Sequence, residues 1–237
     1  MSNPLIYRLI DKAISEYSMI EDGDRILLAT SGGKDSTVMA EYFHSRKMRK
    51  GSNFEVKAFH VQTSISPPFP EELKRRFAEW EIELIIKEID VLGRLKAGKK
   101  MNCWFCSTQR RLELSKVCQD LGFNKIALGH HLDDILETLL MNMLNKKAVF
   151  TMPPVLKFEK FPITIIRPLC FCDIPMIVRH AESEGYLSTT CTCSYQENSS
   201  RKEARERLKG LLGDSYKLKR NLFESLHHIN SEYLPKL

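Results

Sequence analysis

The chain has 237 residues, of which 43% are apolar and 28% charged, and its formal net charge is +6. This composition is typical of an ordinary globular protein, and the length suffices for one domain. No apolar run approaches the roughly 20 residues of a membrane span, and the N-terminus lacks the apolar core of a signal peptide. We therefore expect a cytoplasmic protein with no membrane partner, whose charge permits an anionic partner without requiring one.

Short apolar runs alternate with amphipathic segments along the chain. Five of these runs predict buried strands, at residues 25–30, 54–62, 82–89, 125–130 and 164–169. Helical spacing appears before, between and after them, at residues 4–17, 34–47, 70–80, 103–122, 133–146 and from 173 onward. Residues 62–70 and 151–162 are rich in loop-forming residues and predict loops. The alternation predicts an α/β fold with a doubly wound parallel sheet and a helical C-terminal part.

The stretch SGGKDS, residues 31–36, stands between the first predicted strand and the helix that follows it. Loop amides and a helix N-terminus offer N–H donors and a positive dipole end to phosphate. Gly32 and Gly33 let the backbone approach a ligand closely. Ser31 and Ser36 can donate hydrogen bonds, and Lys34 adds a point charge. The stretch therefore predicts a phosphate site.

This loop differs from that of the standard nucleotide triphosphatases, which needs glycine where Leu28 stands and Ser or Thr where Asp35 stands. Polyphosphate would repel the Asp35 carboxylate unless a Mg²⁺ ion bridges the two. Asp35 therefore indicates metal-bound pyrophosphate. The alternative is a capped helix after a glycine turn. Two glycines alone would favour that alternative, whereas the complete string favours pyrophosphate.

SGGKDS resembles the signature loop of the ATP pyrophosphatases, or PP-loop enzymes, which split ATP into AMP and pyrophosphate while adenylating a substrate. The resemblance implies a Rossmann-like, adenine nucleotide alpha hydrolase-like sheet. It also implies that the loop grips pyrophosphate and that the end of the second strand frames adenosine. The ATP-binding residues that we expect are Thr30, Ser31, Gly32, Gly33, Lys34, Asp35, Ser36, His60, Val61, Gly129 and His130.

Cys103 and Cys106 form a C-x-x-C pair at the start of a predicted helix. Two thiolates at this spacing can bind one metal ion or cluster. The pair alone leaves structural zinc and a redox role open. Cys191 and Cys193 are distant candidates for further ligands. The three remaining cysteines fit core positions, namely Cys118, Cys170 and Cys172.

The stretch LGHHLDD follows the fourth predicted strand and begins a helix. Open α/β sheets bind ligands at the carboxyl ends of their strands. Asp133 or Asp134 could cap the helix, and one of these acids could instead hold Mg²⁺ or position an adenylated intermediate. His130 or His131 could contact phosphates, and a buried, hydrogen-bonded histidine is the alternative.

In this order, SGGKDS, CWFC, LGHHLDDILETLLMNML, MPP, IIRPL and CSYQENSSR resemble the tRNA 2-thiocytidine synthetase branch of the thiolating pyrophosphatases, over residues 22–207. The resemblance implies a 4Fe-4S cluster on Cys103, Cys106 and Cys193. Cys191 is an alternative third ligand, because the family usually has a longer gap than C-T-C. Three protein ligands leave one iron open, as in reactive metal sites. ATP would adenylate the C2 oxygen of a cytidine, with Lys34 and Mg²⁺ neutralising pyrophosphate, and sulfide on the open iron would then expel AMP.

A basic segment predicts where tRNA binds. Residues 93–112 contain no acid and six basic side chains, Arg94, Lys96, Lys99, Lys100, Arg110 and Arg111. Trp104 and Phe105 lie inside the C-x-x-C, and basic charge with an aromatic platform suits an unstacked RNA base. A solvated basic loop with two core aromatics is the alternative. We also hypothesise that Arg110 stabilises negative charge at the activated oxygen, so the expected catalytic set is Lys34, Asp35, Asp133 and Arg110.

The expected organisation is a single domain over residues 1–237, with an N-terminal helix (1–20), a nucleotide-binding core containing the C-x-x-C (22–170) and a helical part with the third cluster cysteine (171–237). We expect no separate RNA-binding module and no zinc ribbon, which argues against the 2-thiouridine branch and leaves the acceptor nucleotide open. The resemblance makes a homodimer plausible, and a cysteine desulfurase or free sulfide is the expected sulfur donor. Two rival interpretations are an adenylating ligase or amidotransferase with structural zinc, and a non-catalytic RNA- or nucleotide-binding protein.

Overall fold

The structure is a computed structural model that describes residues 4–96, 98–158, 162–185 and 200–235. Its centre is a six-stranded sheet with the order β3-β2-β1-β4-β6-β5. The strands are β1 (Asp24–Ala29), β2 (Phe54–Thr63), β3 (Leu84–Ile89), β4 (Lys125–Leu128), β5 (Val155–Lys157) and β6 (Thr164–Ile166). Neighbouring strands are parallel except β5, which pairs antiparallel with β6.

Eight α-helices accompany the sheet in the described ranges. They are α1 (Leu5–Glu16), α2 (Lys34–Lys47), α3 (Glu71–Glu79), α4 (Cys103–Asp120), α5 (Leu132–Lys146), α6 (Ile174–Ser183), α7 (Ser200–Leu212) and α8 (Tyr216–Glu224). No described helix is both long enough and apolar enough to cross a membrane.

Both faces of the sheet are covered, because successive side chains of β1 enter different cores. Ile26 and Leu28 pack with residues of α1, α2, α5 and α6, whereas Leu27 packs with Leu114 and Cys118 of α4. Strands that are buried on both faces need the nearly continuous apolar sequence that β1 has. The predicted doubly wound α/β sheet and helical C-terminal part are therefore confirmed.

The prediction of a loop over residues 151–162 was wrong in one part, since β5 lies within it. β5 has only three residues, and it pairs Val155 with Ile166 at the edge of the sheet. Pro153 and Pro154 precede it directly. Prolines are tolerated where a short edge strand begins, and this strand is too brief to give a periodic signal.

The strand order places three polar loops at one edge. Ala29 of β1 is level with Phe59 of β2 on one side and with Leu128 of β4 on the other. The chain leaves β1 toward β2 and later returns to β4 on the opposite side, so β1 and β4 flank a switch point of the topology. Open α/β sheets bind ligands in the crevice at such a point.

Candidate active site

The SGGKDS loop is shaped by its own hydroxyl groups. Ser31 Oγ accepts a hydrogen bond from the Gly33 amide at 3.2 Å, and Ser36 Oγ accepts one from the Ser31 amide at 3.1 Å. Ser36 Oγ also donates to the Gly33 carbonyl at 3.0 Å. Gly33 is the N-cap of α2, and no side chain in the described ranges caps this helix end. The conformation of the loop is therefore held by hydrogen bonds between its own residues.

Two glycines permit close backbone approach around the loop. Gly32 has φ +81°, which disfavours any side chain, and an added Cβ would lie 3.2 Å from Pro70 Cδ. An added Cβ at Gly129 would lie 3.2 Å from Ser36 N and 3.3 Å from the Asp35 carbonyl carbon. The end of β4 therefore packs directly on the first turn of α2, and Gly129 is brought beside the loop.

Lys34 and Asp35 form a pair at the start of α2. Lys34 Nζ lies 3.2 Å from Asp35 Oδ1 and donates to Oδ2 at 3.3 Å. Asp35 Oδ1 is shut off from solvent and accepts no hydrogen bond from any described group. Carboxylate oxygens are ligands that Mg²⁺ prefers, and Oδ1, which is ion-paired with Lys34 but accepts no hydrogen bond from a described group, has a lone pair left for the ion. Asp35 therefore fits the magnesium role expected of it.

His60, at the end of β2, is held in one tautomer. Its Nδ1 lies 2.7 Å from the carbonyl oxygen of Thr30, and because a carbonyl only accepts, Nδ1 carries the proton. Nε2 is buried and has no partner in the described chain. Burial lowers the pKa of His60, and the nearby charge of Arg110 lowers it further. The side chain of Val61 is buried in the core that also contains Leu114 and Cys118 of α4.

The two acids after β4 have separate tasks. His131 caps α5, because its Nδ1 accepts from the Asp134 amide at 3.3 Å and Asp134 Oδ2 accepts from the His131 amide at 3.2 Å. Asp134 also bonds to Arg201 of α7 at 3.1 Å. Of the two acids proposed as caps, Asp134 therefore completes a capping box.

Asp133 faces the C-terminal helices. Its Oδ2 accepts a hydrogen bond from the Ile174 amide at 2.8 Å, and its Oδ1 lies 2.8 Å from Lys219 Nζ. Lys219 also donates to Asp173, the N-cap of α6, at 3.2 Å. Both oxygens of Asp133 therefore have partners, and the positive charge of Lys219 beside Oδ1 would oppose a Mg²⁺ ion there.

His130 bonds to an arginine that the sequence analysis did not single out. Arg167, in the IIRPL motif, donates from Nε to His130 Nδ1 at 3.3 Å. Arg167 is buried and directly follows β6. A charged residue immediately after a buried parallel strand was the available signal, since such positions reach the ligand edge of the sheet.

Cys103 and Cys106 lie one turn apart at the beginning of α4. Cys103 is exposed, and Cys106 is half-buried against the second core. Asn102 caps the helix by accepting from the Phe105 amide at 2.9 Å. The donor set therefore fits an iron–sulfur cluster or another thiophilic metal. Cys191 and Cys193 fall outside the described residues.

The other cysteines are buried, as predicted. Cys118, Cys170 and Cys172 are all 0% exposed. Burial raises the pKa of Cys118 and of Cys170 to about 12 and that of Cys172 well above its usual value. Thiols that remain protonated are poor metal ligands, so these three are core residues.

The predicted basic segment is only partly neutralised. Arg94 pairs with Glu113 at 2.8 Å, and Arg110 is half-buried, with an Nε that has no hydrogen-bond partner within the described ranges. The remaining basic side chains are exposed, namely Lys96, Lys99, Lys100 and Arg111. Trp104, beside them, is 71% exposed. Positive charge and an aromatic face therefore flank the C-x-x-C.

Comparison with known proteins identifies the family. A model of the PP-loop domain matches residues 5–208. The tRNA-cytidine(32) 2-sulfurtransferase of Nitrosospira multiformis is 36% identical over 232 residues, which are 96% of this chain and 78% of the relative. The enzyme of the same name from Polynucleobacter necessarius is 34% identical, with 96% of this chain and 76% of the relative covered.

Two solved structures are similar in fold to this chain. The U34-tRNA thiolase NcsA from Methanococcus maripaludis, solved with its 4Fe-4S cluster, has a TM-score of 0.76 at 26% identity and matches 95% of this chain and 78% of its own. An NH3-dependent NAD synthetase from Campylobacter jejuni shares the fold, with a TM-score of 0.53, 16% identity and coverage of 96% of this chain and 87% of its own. The PP-loop match and the tRNA-modifying relatives extend over most of the chain. The chain belongs to the PP-loop family, in its tRNA-cytidine(32) 2-sulfurtransferase branch.

Proposed function

We propose that the chain catalyses ATP-dependent thiolation of tRNA, in which it adenylates the C2 oxygen of a cytidine and replaces that oxygen with sulfur. The observation that carries the proposal is that the C-x-x-C pair and the PP-loop lie at the same edge of the sheet. Arg110, about two turns after Cys103 in α4, lies close enough to His60 for its charge to lower the pKa of that ring. His60 in turn bonds to Thr30, which adjoins the PP-loop. The relatives are named for this reaction.

The PP-loop would bind ATP through its amides and its lysine. Ser31, Gly32, Gly33 and Ser36 would surround the pyrophosphate, and Lys34 would neutralise the charge that develops as it departs. Oδ1 of Asp35, which is ion-paired with Lys34 but accepts no hydrogen bond in the described ranges, would hold Mg²⁺, and this ion would share that charge. Charge stabilisation of this kind acts in the adenylation step.

Asp133 is proposed as a positioning group in that step. Its pairing with Lys219 and with the Ile174 amide fixes the first turn of α5 against α6 and α8. Because Gly129 and His130 directly precede this turn, Asp133 would control where they lie against the nucleotide. A direct contact with Mg²⁺ is the stronger form of the proposal, and the Lys219 ammonium 2.8 Å from Oδ1 opposes it.

Cys103 and Cys106 would hold the 4Fe-4S cluster together with Cys193, and Cys191 is the alternative third ligand. Arg201, eight residues after Cys193, bonds to Asp134 at the N-terminus of α5, so a residue that closely follows the two cysteines is fixed beside the candidate site. When bound, a cluster with three cysteine ligands supplies an open coordination position for sulfide. The sulfide would come from a cysteine desulfurase or from free sulfide.

The tRNA would bind across the basic segment beside α4. The exposed side chains of Lys96, Lys99, Lys100 and Arg111 suit phosphates, and Trp104 offers a face on which an unstacked base can stack. Arg110 would stabilise negative charge at the activated C2 oxygen. We place the reaction in the cytoplasm, where tRNA is found and thiols stay reduced, and we propose a homodimer on the strength of the family resemblance.

The first test is the content of iron and acid-labile sulfide after anaerobic purification, with zinc measured in the same samples. The variants are Cys103→Ala, Cys106→Ala, Cys191→Ala and Cys193→Ala, and Ser107→Ala on the same helix is the control. We expect about four iron atoms per chain in the wild type and in Ser107→Ala. Iron should be lost in the first two variants and in only one of the last two.

The second test is the conversion of a tRNA cytidine to 2-thiocytidine with ATP, Mg²⁺ and sulfide. Lys34→Ala should abolish the conversion although the iron content stays unchanged. One zinc ion per chain without iron, together with activity that is indifferent to oxygen, would contradict the proposal and favour the adenylating ligase. If no pyrophosphate were released with any acceptor, the interpretation as a non-catalytic RNA- or nucleotide-binding protein would be favoured.

A further inference from the structure

Arg167 is a buried arginine without an acidic partner in the part of the chain that the structure describes. It is 5% exposed, and its guanidinium donates to His130 Nδ1 at 3.3 Å and to the carbonyl oxygen of Pro153. Its backbone amide donates to the Pro154 carbonyl at 2.9 Å. No acid in the described ranges forms an ion pair with it, although many other arginines of the chain have such a partner.

The positive charge of the buried Arg167 guanidinium needs a negative charge that the described side chains do not supply. Burial lowers the pKa of Arg167 to about 10, so the guanidinium stays positive at neutral pH. Burying an unpaired charge costs several kcal/mol, and two neutral acceptors offset only part of this cost. A bound anion would supply the rest, and the position of Arg167 after β6 is at the ligand edge of the sheet.

The contact with Arg167 determines which ring nitrogen of His130 carries the proton. The Arg167 Nε group only donates, so His130 Nδ1 must accept and the proton lies on Nε2. Burial lowers the pKa of His130 to about 4, with Arg167, Arg201 and His131 also lowering it and Asp134 opposing them. The ring is therefore neutral at pH 7, with one N–H donor at Nε2.

The Nε2–H group of His130 is available to a ligand. No described residue accepts a hydrogen bond from it, and His130 is only half-buried, whereas His60 is buried. Gly129, the preceding residue, would place a Cβ only 3.2 Å from the Ser36 amide nitrogen. His130 therefore follows directly on the residue that touches the PP-loop helix.

We propose that Arg167 is a positioning residue that fixes the Nε2–H tautomer of His130, and that the two residues together bind a phosphate group of the nucleotide held in the PP-loop. Arg167 supplies the compensating charge, and His130 supplies the directed hydrogen bond. The identity of the nucleotide as ATP or its adenylate rests on the proposed function. The arrangement of the two side chains does not.

Nucleotide binding tests the proposal without tRNA and without turnover. Calorimetry on the cluster-loaded protein would measure the affinity for a non-hydrolysable ATP analogue with Mg²⁺, and separately for AMP and for pyrophosphate. Arg167→Met should lower the affinity for the analogue by about tenfold or more, because a charge-assisted contact is lost. Arg167→Lys should restore part of this affinity. Arg179→Met, which removes an exposed arginine of α6, should have no effect.

Two substitutions at His130 test the geometry of the hydrogen bond. The amide nitrogen of glutamine can occupy the place of Nε2, whereas that of asparagine reaches only the place of Nδ1. His130→Gln should therefore keep most of the affinity for the analogue, and His130→Asn should lose it. Equal affinities in the two variants would overturn the proposed donor role.

The tautomer has a readout that is independent of any ligand. Long-range proton–nitrogen NMR of the histidine rings, assigned with His130→Gln, should show a protonated Nε2 in the wild type and a mixture of tautomers in Arg167→Met. A wild-type tautomer and wild-type affinity in Arg167→Met would overturn the proposal. If the wild type bound no adenine nucleotide, the proposed function would fall, and the tautomer would still decide whether Arg167 orients His130.

Discussion

Replacing Gly129 by alanine would test whether the approach of β4 to α2 holds the PP-loop in its binding shape. The added Cβ would lie 3.2 Å from Ser36 N and 3.3 Å from the Asp35 carbonyl carbon, and both are backbone atoms. Relief requires a shift of a few tenths of an ångström in the first turn of α2. Overpacking of this kind costs about 1–3 kcal/mol.

The strain should appear in both stability and affinity. In the free protein the loop can move to relieve part of it, but binding pyrophosphate restores the original position and the strain with it. The affinity for a Mg²⁺-bound ATP analogue should therefore fall roughly tenfold or more. The melting temperature should fall by about 2–4 °C per kcal/mol in a chain of this length.

Gly210→Ala is the matched control. Gly210 lies exposed in α7, and an added Cβ would meet no atom of the described residues within 4 Å. Alanine is a better helix former, so this change should raise stability by about 0.5–1 kcal/mol and leave nucleotide affinity unchanged. Wild-type melting temperature and wild-type affinity in Gly129→Ala would refute the reasoning about the loop.

Three further outcomes are expected. Lys219→Met removes a cation from between two carboxylates, one of them Asp133 at 2.8 Å. It should lower the free energy of unfolding in urea by about 3–5 kcal/mol, and a loss below 1 kcal/mol would contradict the buried pairing. Arg110→Ala should raise the pKa of His60, measured by NMR titration, because the charge of Arg110 lowers it. The same variant should slow single-turnover thiolation without changing ATP affinity. Thiolation at the wild-type rate in this variant would show that Arg110 has no catalytic role. His130 is neutral in the fold with a pKa of about 4, whereas an unfolded histidine takes up a proton near pH 6.5. Stability should therefore fall as the pH drops from about 6.5 toward 4, by up to about 3 kcal/mol. His130→Gln should lose this part of the pH dependence. If the free energy of unfolding in urea depended on pH in the variant as it does in the wild type, the prediction would be wrong.

The PP-loop could be predicted from the sequence because its determinants are local. The apolar run of β1, the two glycines and the hydroxyl bonds between Ser31 and Ser36 all lie within a dozen residues. Strand, turn and helix are each specified by neighbouring residues there. The C-x-x-C is local in the same way, since one helical turn brings Cys103 and Cys106 together.

The hydrogen-bond and ion-pair partners of the polar groups at the site could not be predicted, because they come from distant elements. Arg167 and His130 are 37 residues apart, and Arg201 and Asp134 are 67 apart. Each pair depends on the strand order and on how the C-terminal helices dock, which no local pattern encodes. The sequence left both Asp133 and Asp134 open as caps, and only the docking of α6, α7 and α8 separates their roles.

The first turn of α5 joins the nucleotide site to the C-terminal helices. Asp133 binds the start of α6 and Lys219 of α8, while Asp134 binds Arg201 of α7. The stretch with the expected third cluster cysteine connects α6 to α7, so both of its neighbouring helices are bonded to this turn. An activity loss in Asp133→Asn would therefore combine two effects, nucleotide positioning and the placement of that cysteine. Lys219→Met removes the same ion pair and leaves the carboxylate intact. If only Asp133→Asn lost nucleotide affinity while both variants lost iron, the carboxylate would act on the nucleotide and the ion pair would act on the cluster.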